Sequence, residues 1–189
     1  MGNFYNYLIK TNMSCVKEVD CDDVNAMDCV VIFATRLSGL TKYMINIVKK
    51  NKNTKIVLVT QDFMYETLKN DISQQDEVII QTGGYSVEVV KKILDNGKIG
   101  NVSGVIFYTL QKYDLGNINI LDIASKLNKN INVYGITKDK EIYEYSNLEY
   151  YLSGLKLYLD IDNYIDKSLD LYGELIWKLE YYHKKKKKT

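Results

Sequence analysis

Two hydrophobic rhythms alternate along the chain. Three runs are short, almost wholly apolar and rich in β-branched residues: Cys29-Val30-Val31-Ile32-Phe33-Ala34, Lys55-Ile56-Val57-Leu58-Val59-Thr60 and Gly104-Val105-Ile106-Phe107-Tyr108. A strand with one wet face alternates apolar and polar side chains. A continuous run instead predicts a strand covered on both sides. These three are therefore expected side by side and parallel, in the middle of a sheet. Weaker runs at Glu77-Val78-Ile79-Ile80 and Ile131-Asn132-Val133-Tyr134 add strands, and Cys15-Val16-Lys17-Glu18-Val19 precedes them all.

Helical spacing separates the runs. Leu40, Tyr43, Met44, Ile47 and Val48 fall on one helical face. Phe63, Thr67 and Leu68 predict a shorter helix, opened by Asp62 as an N-cap. Ser86 opens another, with Val87, Val90 and Leu94 inward and Gly97 as its stop. Ile120, Ile123, Ala124 and Leu127 give one more, ended by Asn128 to Asn130. Strand and helix alternate from Asp28 to Ile136, which argues for parallel βαβ units with right-handed crossovers. The expected fold class is α/β: a Rossmann-like three-layer domain with a mainly parallel sheet of five to six strands.

From Ser146 to Tyr182 the pattern turns helical throughout, with a break near Asp160-Ile161-Asp162. Ile165, Leu169, Tyr172, Ile176 and Leu179 form one apolar stripe, so a C-terminal helical hairpin is expected. The domain division that follows is an α/β domain over 1–145, the hairpin over 146–183 packed on it, and a disordered lysine tail over 184–189.

Composition narrows the classes. A chain of 189 residues with 46% hydrophobic content can bury a core as one domain. A net charge of +1 gives no reason to expect nucleic acid. Cys15, Cys21 and Cys29 form no CxxC pair, so neither a disulfide framework nor a zinc site is supported. Met1 to Lys10 lacks the apolar core of a secretory signal, and no apolar run approaches the length of a membrane span. A cytoplasmic protein is expected. Lys184, Lys185, Lys186, Lys187 and Lys188, following Trp177, Tyr181 and Tyr182, could touch the anionic inner face of a membrane. The chain has no proline, so turns must be read from Gly, Asn and Asp.

Open α/β sheets bind ligands in the loops beyond their strand C-termini. Those loops carry the candidate substrate-binding residues Arg36, Ser38, Gly39, Gln61, Asp62, Gly83, Gly84 and Thr109. Ser38-Gly39 and Gly83-Gly84-Tyr85-Ser86 each lead into a helix, where backbone N–H groups can meet a phosphate. Neither segment is a GxGxxG or a GxxxxGK[ST] motif. Acid–base candidates are few. The one histidine, His183, sits beside the lysine tail and reads as solvated. Asp20, Asp22, Asp23 and Asp28 lack the spacing of a calcium loop and read as a solvated turn. No catalytic residue, metal or cofactor is assigned from these patterns.

The stretch Val30-Val31-Ile32-Phe33-Ala34-Thr35-Arg36-Leu37-Ser38-Gly39-Leu40 resembles the opening of heptosyltransferase-like GT-B glycosyltransferases, an apolar strand running into an Arg-Leu-Ser loop. Downstream, Lys55 to Thr60, Asp76-Glu77-Val78-Ile79 and Val102 to Tyr108 are similar to that family's next strands, so the resemblance covers about residues 28–136. It implies an N-terminal Rossmann-like half-domain acting in surface-glycan assembly, with a nucleotide-sugar or a glycan acceptor as ligand. Thr41 stands where the family has glycine, and Lys42 stands where it has the catalytic aspartate. An ammonium cannot serve as that general base. The nucleotide-binding second half is also missing. The resemblance thus implies either a second chain, from a partner or a homo-oligomer, or a degenerate site. Two alternatives stand beside it. Val19 to Ile32 resembles the segment leading into the middle strand of flavodoxins, whose phosphate loop would have to lie near Gly2-Asn3, and this implies a flavin-binding redox protein. The other alternative is a non-catalytic interaction module that docks through its helical C-terminus.

Overall fold

The three continuous apolar runs lie side by side as strands. In the computed structural model, β2 (Cys29–Phe33) pairs in parallel with β3 (Lys55–Thr60) on one side and with β5 (Gly104–Tyr108) on the other. Val31 and Val57 are fully buried, as strands covered on both faces require. The structure describes residues 14–50, 53–72, 78–82, 88–89, 91–92, 101–112, 114–127, 130–157, 159–160, 167 and 173.

The sheet extends outward from that centre. β4 (Val78–Thr82) pairs in parallel with β3, and β6 (Asn132–Ile136) pairs in parallel with β5. β7 (Ile142–Tyr145) turns back antiparallel on β6, and β1 (Val16–Val19) closes that edge antiparallel to β7. The order is β1-β7-β6-β5-β2-β3-β4. The α/β class with a mainly parallel sheet holds. The count of five to six strands is corrected to seven, because β7 falls where the sequence pattern marked no element. β7 follows a turn whose positive-φ residue is Lys140, at φ 68°. Glycine or asparagine is the usual occupant of such a position, so the turn carries no sequence mark.

Three helices position the residues of interest. α1 (Ser38–Lys49) buries Leu40, Thr41, Met44, Ile45, Ile47 and Val48. α2 (Asp62–Ile72) buries Met64, Leu68 and Ile72, which recur every fourth residue. The expected inward face of α2 is thereby rotated: Thr67 is exposed and Phe63 is 60% exposed. α3 (Ile118–Leu127) buries Leu121, Ile123 and Ala124 and follows a 3₁₀ turn at Leu115–Asn117. One core cluster joins α1 and α2 to the sheet face carrying Val30, Ile32, Ile56, Leu58 and Ile106. The opposite face carries Val31, Val57, Val105 and Phe107, also buried. Each large apolar side chain so buried stabilises by about 1.5–3 kcal/mol.

The chain divides into two units, Met1–Leu152 and Ser153–Thr189. The sheet and all three labelled helices belong to the first. Residues 148–157 are helical, as are 159–160. The stripe from Ile165 to Leu179, His183 and Lys184 to Lys188 lies outside the described residues. So do Gly83 and Gly84, together with Ser86, Val87, Val90, Leu94 and Gly97. Among the described residues, no helix is long and apolar enough to cross a membrane.

Candidate functional site

The chain runs outward from β2 to β3 and β4, then crosses back to β5 on the other side of β2. The strand order therefore reverses between β2 and β5. In an open α/β sheet, the C-terminal ends of such a strand pair diverge into a crevice. A cleft of about 430 Å³ occupies this place, lined by residues from the ends of β2, β3 and β5 and from the start of α3. Its apolar lining includes Phe33, Ala34, Met64, Tyr108 and Ile120, and its polar lining includes Arg36, Gln61, Asn117 and Asn119.

The loop after β5 is tied down by one carboxylate. Asp114 accepts hydrogen bonds from the backbone N–H of Leu110 at 3.0 Å and of Gly116 at 2.9 Å, and from Asn117 Nδ2 at 3.3 Å. Thr109 is fully buried, and its hydroxyl donates to the Gln111 carbonyl at 2.7 Å. Its backbone N–H donates to the Ile136 carbonyl at 3.0 Å. Of the expected binding residues, Thr109 therefore spends its polar atoms on the fold. It holds the chain that presents Asn117 and Asn119 to the cleft.

A second pocket, also about 430 Å³, lies at the start of α1 and is lined by Arg36, Leu37, Ser38, Gly39, Leu40, Lys138 and Lys140. The helix begins there without a side-chain cap, because its N-cap position is Leu37. The leucine side chain has no oxygen for the N–H groups of Ser38 and Gly39, while its backbone carbonyl accepts from those of Leu40 at 2.9 Å and Thr41 at 3.1 Å. A Cβ at Gly39 would meet nothing within 4 Å, so this glycine is not demanded by crowding. Arg36, Ser38 and Gly39 thus come together as the sequence suggests. Lys138 and Lys140, from the β6–β7 turn, were not legible as partners of a loop so much earlier in the chain.

Two cations of this pocket are held by rings. The Arg36 guanidinium lies over the Phe63 ring, 4.9 Å from its centroid. Lys140 Nζ lies 5.0 Å from the centroid of the Tyr43 ring. Burial pushes the Tyr43 phenol above its ordinary range, so the ring under Lys140 stays neutral. Among the described residues, no carboxylate lines the pocket. Glu141, on the same turn, is engaged by the hydroxyls of Tyr143 at 3.1 Å and Thr137 at 3.4 Å. An aromatic face holds a cation without an opposing charge, whereas a cation paired with a carboxylate forms a group of no net charge.

Gln61 lines the switch-point cleft, and the adjacent Asp62 is exposed at the first turn of α2 and lines none of the described clefts. The acidic segment before β2 makes one ion pair among the described residues, Asp22 with Lys50 at 2.6 Å. Among the described residues, no group of three or more His, Cys, Asp or Glu side chains is placed to hold a metal ion. Cys15 and Cys29 are buried and Cys21 is partly buried, all three as free thiols. Burial pushes the Cys29 thiol up, which keeps it protonated and unreactive at neutral pH.

No family model matches the chain, and no curated protein sequence matches it. Solved structures do. Human N-acetylserotonin methyltransferase in complex with SAM is similar with a TM-score of 0.42 and 12% identity, over 61% of this chain and 31% of that one. The SAH-bound Podospora anserina methyltransferase PaMTH1 gives a TM-score of 0.39 at 8% identity, over 68% and 49%. LepI in complex with SAM gives 0.37 at 8% identity, over 61% and 28%. The chain thus spans less than half the length of each.

These neighbours correct the family expectation. They are SAM- and SAH-bound proteins, two of them named as methyltransferases, and not GT-B glycosyltransferases. The glycosyltransferase reading, its nucleotide-sugar or glycan-acceptor ligand, its partner half and the surface-glycan role fall with it. The flavodoxin-like and interaction-module alternatives gain no support from them either. The physical reason is plain in the residues that carried the resemblance. Apolar strands at regular intervals are common to every doubly covered parallel sheet, so they specify a layout and not a chemistry. Lys42, at the position of the family's aspartate, is an exposed residue on α1.

Proposed function

We propose that this chain binds a small ligand through an anionic group, a phosphate or a carboxylate, in the pocket lined by Arg36, Lys138 and Lys140. One observation supports the reading: three cations line a single pocket with no carboxylate in its described lining, and two of them rest on aromatic rings. The uncapped start of α1 adds partial positive charge on the same side. At a protein surface, opposite unit charges 4 Å apart attract by about 4 kcal/mol. Desolvation and side-chain ordering offset part of that gain. The described lining of both pockets holds no carboxylate, histidine or thiol. Any reaction carried out there would draw on positioning and on charge stabilisation more than on a protein base.

Calorimetric titration of the full chain tests this, with inorganic phosphate, pyrophosphate and acetate as probes at low and high salt. Binding is expected to weaken as salt rises. Arg36→Gln is expected to lower affinity by about tenfold, the loss of one charge-assisted hydrogen bond. S-adenosylmethionine and S-adenosylhomocysteine, the ligands named for the neighbouring structures, belong in the same panel. The sulfonium of the former should be repelled by a cationic pocket. No heat with any of the anions would overturn the reading. Tighter binding of the sulfonium than of its neutral product would do the same.

A further inference from the structure

We infer that the switch-point cleft holds a nucleobase, which makes the ligand a nucleoside phosphate whose anionic end meets Arg36. The second half of that statement rests on the anion reading above; the first half does not. Arg36 lines both pockets, so a ligand anchored there by its anion reaches the cleft with its other end. The cleft itself is of a different character. Apart from Arg36 and the hydroxyls of Thr35 and Tyr108, its polar side chains are three carboxamides, from Gln61, Asn117 and Asn119. The side chains of Gln61 and Asn119 make no hydrogen bond to the described residues. Asn117 is 7% exposed, and its Nδ2 donates to Asp114 while its Oδ1 accepts nothing from the described residues.

A buried carbonyl oxygen left unmatched is costly, and so it marks a place where a donor is expected. A carboxamide presents a donor and an acceptor side by side. Its natural complement is a ring edge that does the same, as in the pairing of Asn or Gln with adenine. Apolar lining from Tyr108, Met64 and Ile120 suits the faces of a flat ring. A free sugar would leave that lining unmatched, and an acyl chain would leave the three amides unmatched. The volume of about 430 Å³ lies within the range of small-molecule sites.

Calorimetry on the full chain with four probes tests the assignment: inorganic phosphate, ribose 5-phosphate, the nucleoside monophosphates and the free nucleosides. At least one nucleoside monophosphate is expected to bind about tenfold or more tighter than ribose 5-phosphate, the worth of one or two hydrogen bonds. The double variant Gln61→Leu with Asn119→Leu should erase that difference and leave ribose 5-phosphate unaffected. Neither side chain is buried, so the fold should survive, and far-UV circular dichroism checks that it has. If ribose 5-phosphate binds as tightly as every monophosphate, the cleft assignment is wrong and the anion reading stands. A preference that persists in the double variant overturns it equally. If phosphate and ribose 5-phosphate fail while a nucleoside binds and is lost in the double variant, the anion reading fails and the cleft assignment stands. Silence from all four probes overturns both.

Discussion

At the N-terminal ends of the parallel strands, Ser103 Oγ accepts from the backbone N–H of Asp28 at 2.9 Å and of Cys29 at 3.2 Å, and donates to the Cys29 carbonyl at 3.1 Å. Thr54 donates to the Met27 carbonyl at 2.7 Å. Tyr134 Oη accepts from the Asn25 backbone N–H at 3.1 Å, and Asn25 Nδ2 donates to Asn132 at 3.2 Å. Polar side chains lock neighbouring strands to one another there. At the C-terminal ends some do similar work, with the Thr41 hydroxyl bridging the backbone of Thr35. Others differ: Arg36 and Lys140 rest on rings, and Gln61 and Asn119 are unspent among the described residues. One end of the sheet spends its polar groups on the fold, and the other holds some back. That asymmetry separates a stabilising end from a recognising end without any motif.

Variants at the closed end should show the largest effects. A Cβ at Gly104 would lie 2.0 Å from Met27 Sδ and 3.1 Å from Met27 Cγ, so Met27, itself buried, must move. Gly104→Ala is expected to cost about 1–3 kcal/mol in denaturant unfolding, the usual range for overpacking. Ser103→Ala strips a hydroxyl engaged by three backbone groups and should cost about 1–3 kcal/mol. At the open end, Gln61→Ala, Asn119→Ala and Lys138→Ala should each stay within about 0.5 kcal/mol of the parent. Equal losses at both ends would break the comparison.

The smallest effect belongs to Asp22, whose carboxyl is held below its ordinary 3.8 by the hydrogen bond from Lys50 and then by that residue's charge. A lowered folded value means its contribution is present above the unfolded value and lost as pH falls through the folded one. The pair is exposed, so the contribution is small. The stability difference between the parent and Asp22→Asn should be present at pH 7 and shrink as the pH is lowered through the folded value, which lies below 3.8. A difference that persists undiminished at low pH would show that the loop, not the charge, is responsible.

The layout was legible where physics is local. The runs Lys55–Thr60 and Gly104–Tyr108 are strands with the bounds their composition suggests, because double burial writes itself into consecutive residues. The face of α2 was misread because Phe63, the largest apolar side chain near its start, is outside the core and supports Arg36. β7 escaped because it is four residues long and follows a lysine where a turn usually shows glycine. In the site, Arg36 and Gln61 were visible as residues of strand-end loops. Asn117, Asn119, Lys138 and Lys140 were not, since only the crossing back to β5 and the β6–β7 turn bring them to the same edge.

The strand that closes the far edge has a consequence for synthesis. β1 pairs with β7, with Val16 opposite Tyr145 and Val19 opposite Ile142, and the Cys15 carbonyl accepts from the Ser146 hydroxyl 131 residues away. A ribosome delivers β1 before any other strand of the sheet and β7 after all of them. At about 5–20 residues per second, the first strand waits on the order of ten seconds for its native neighbour. Through that interval its backbone donors and acceptors are open to any passing chain. Its two exposed positions are Lys17 and Glu18. Charged side chains there keep the nascent segment hydrated and make it a poor template for another strand. The release of β7 therefore gives the first-made strand of the described sheet its partner.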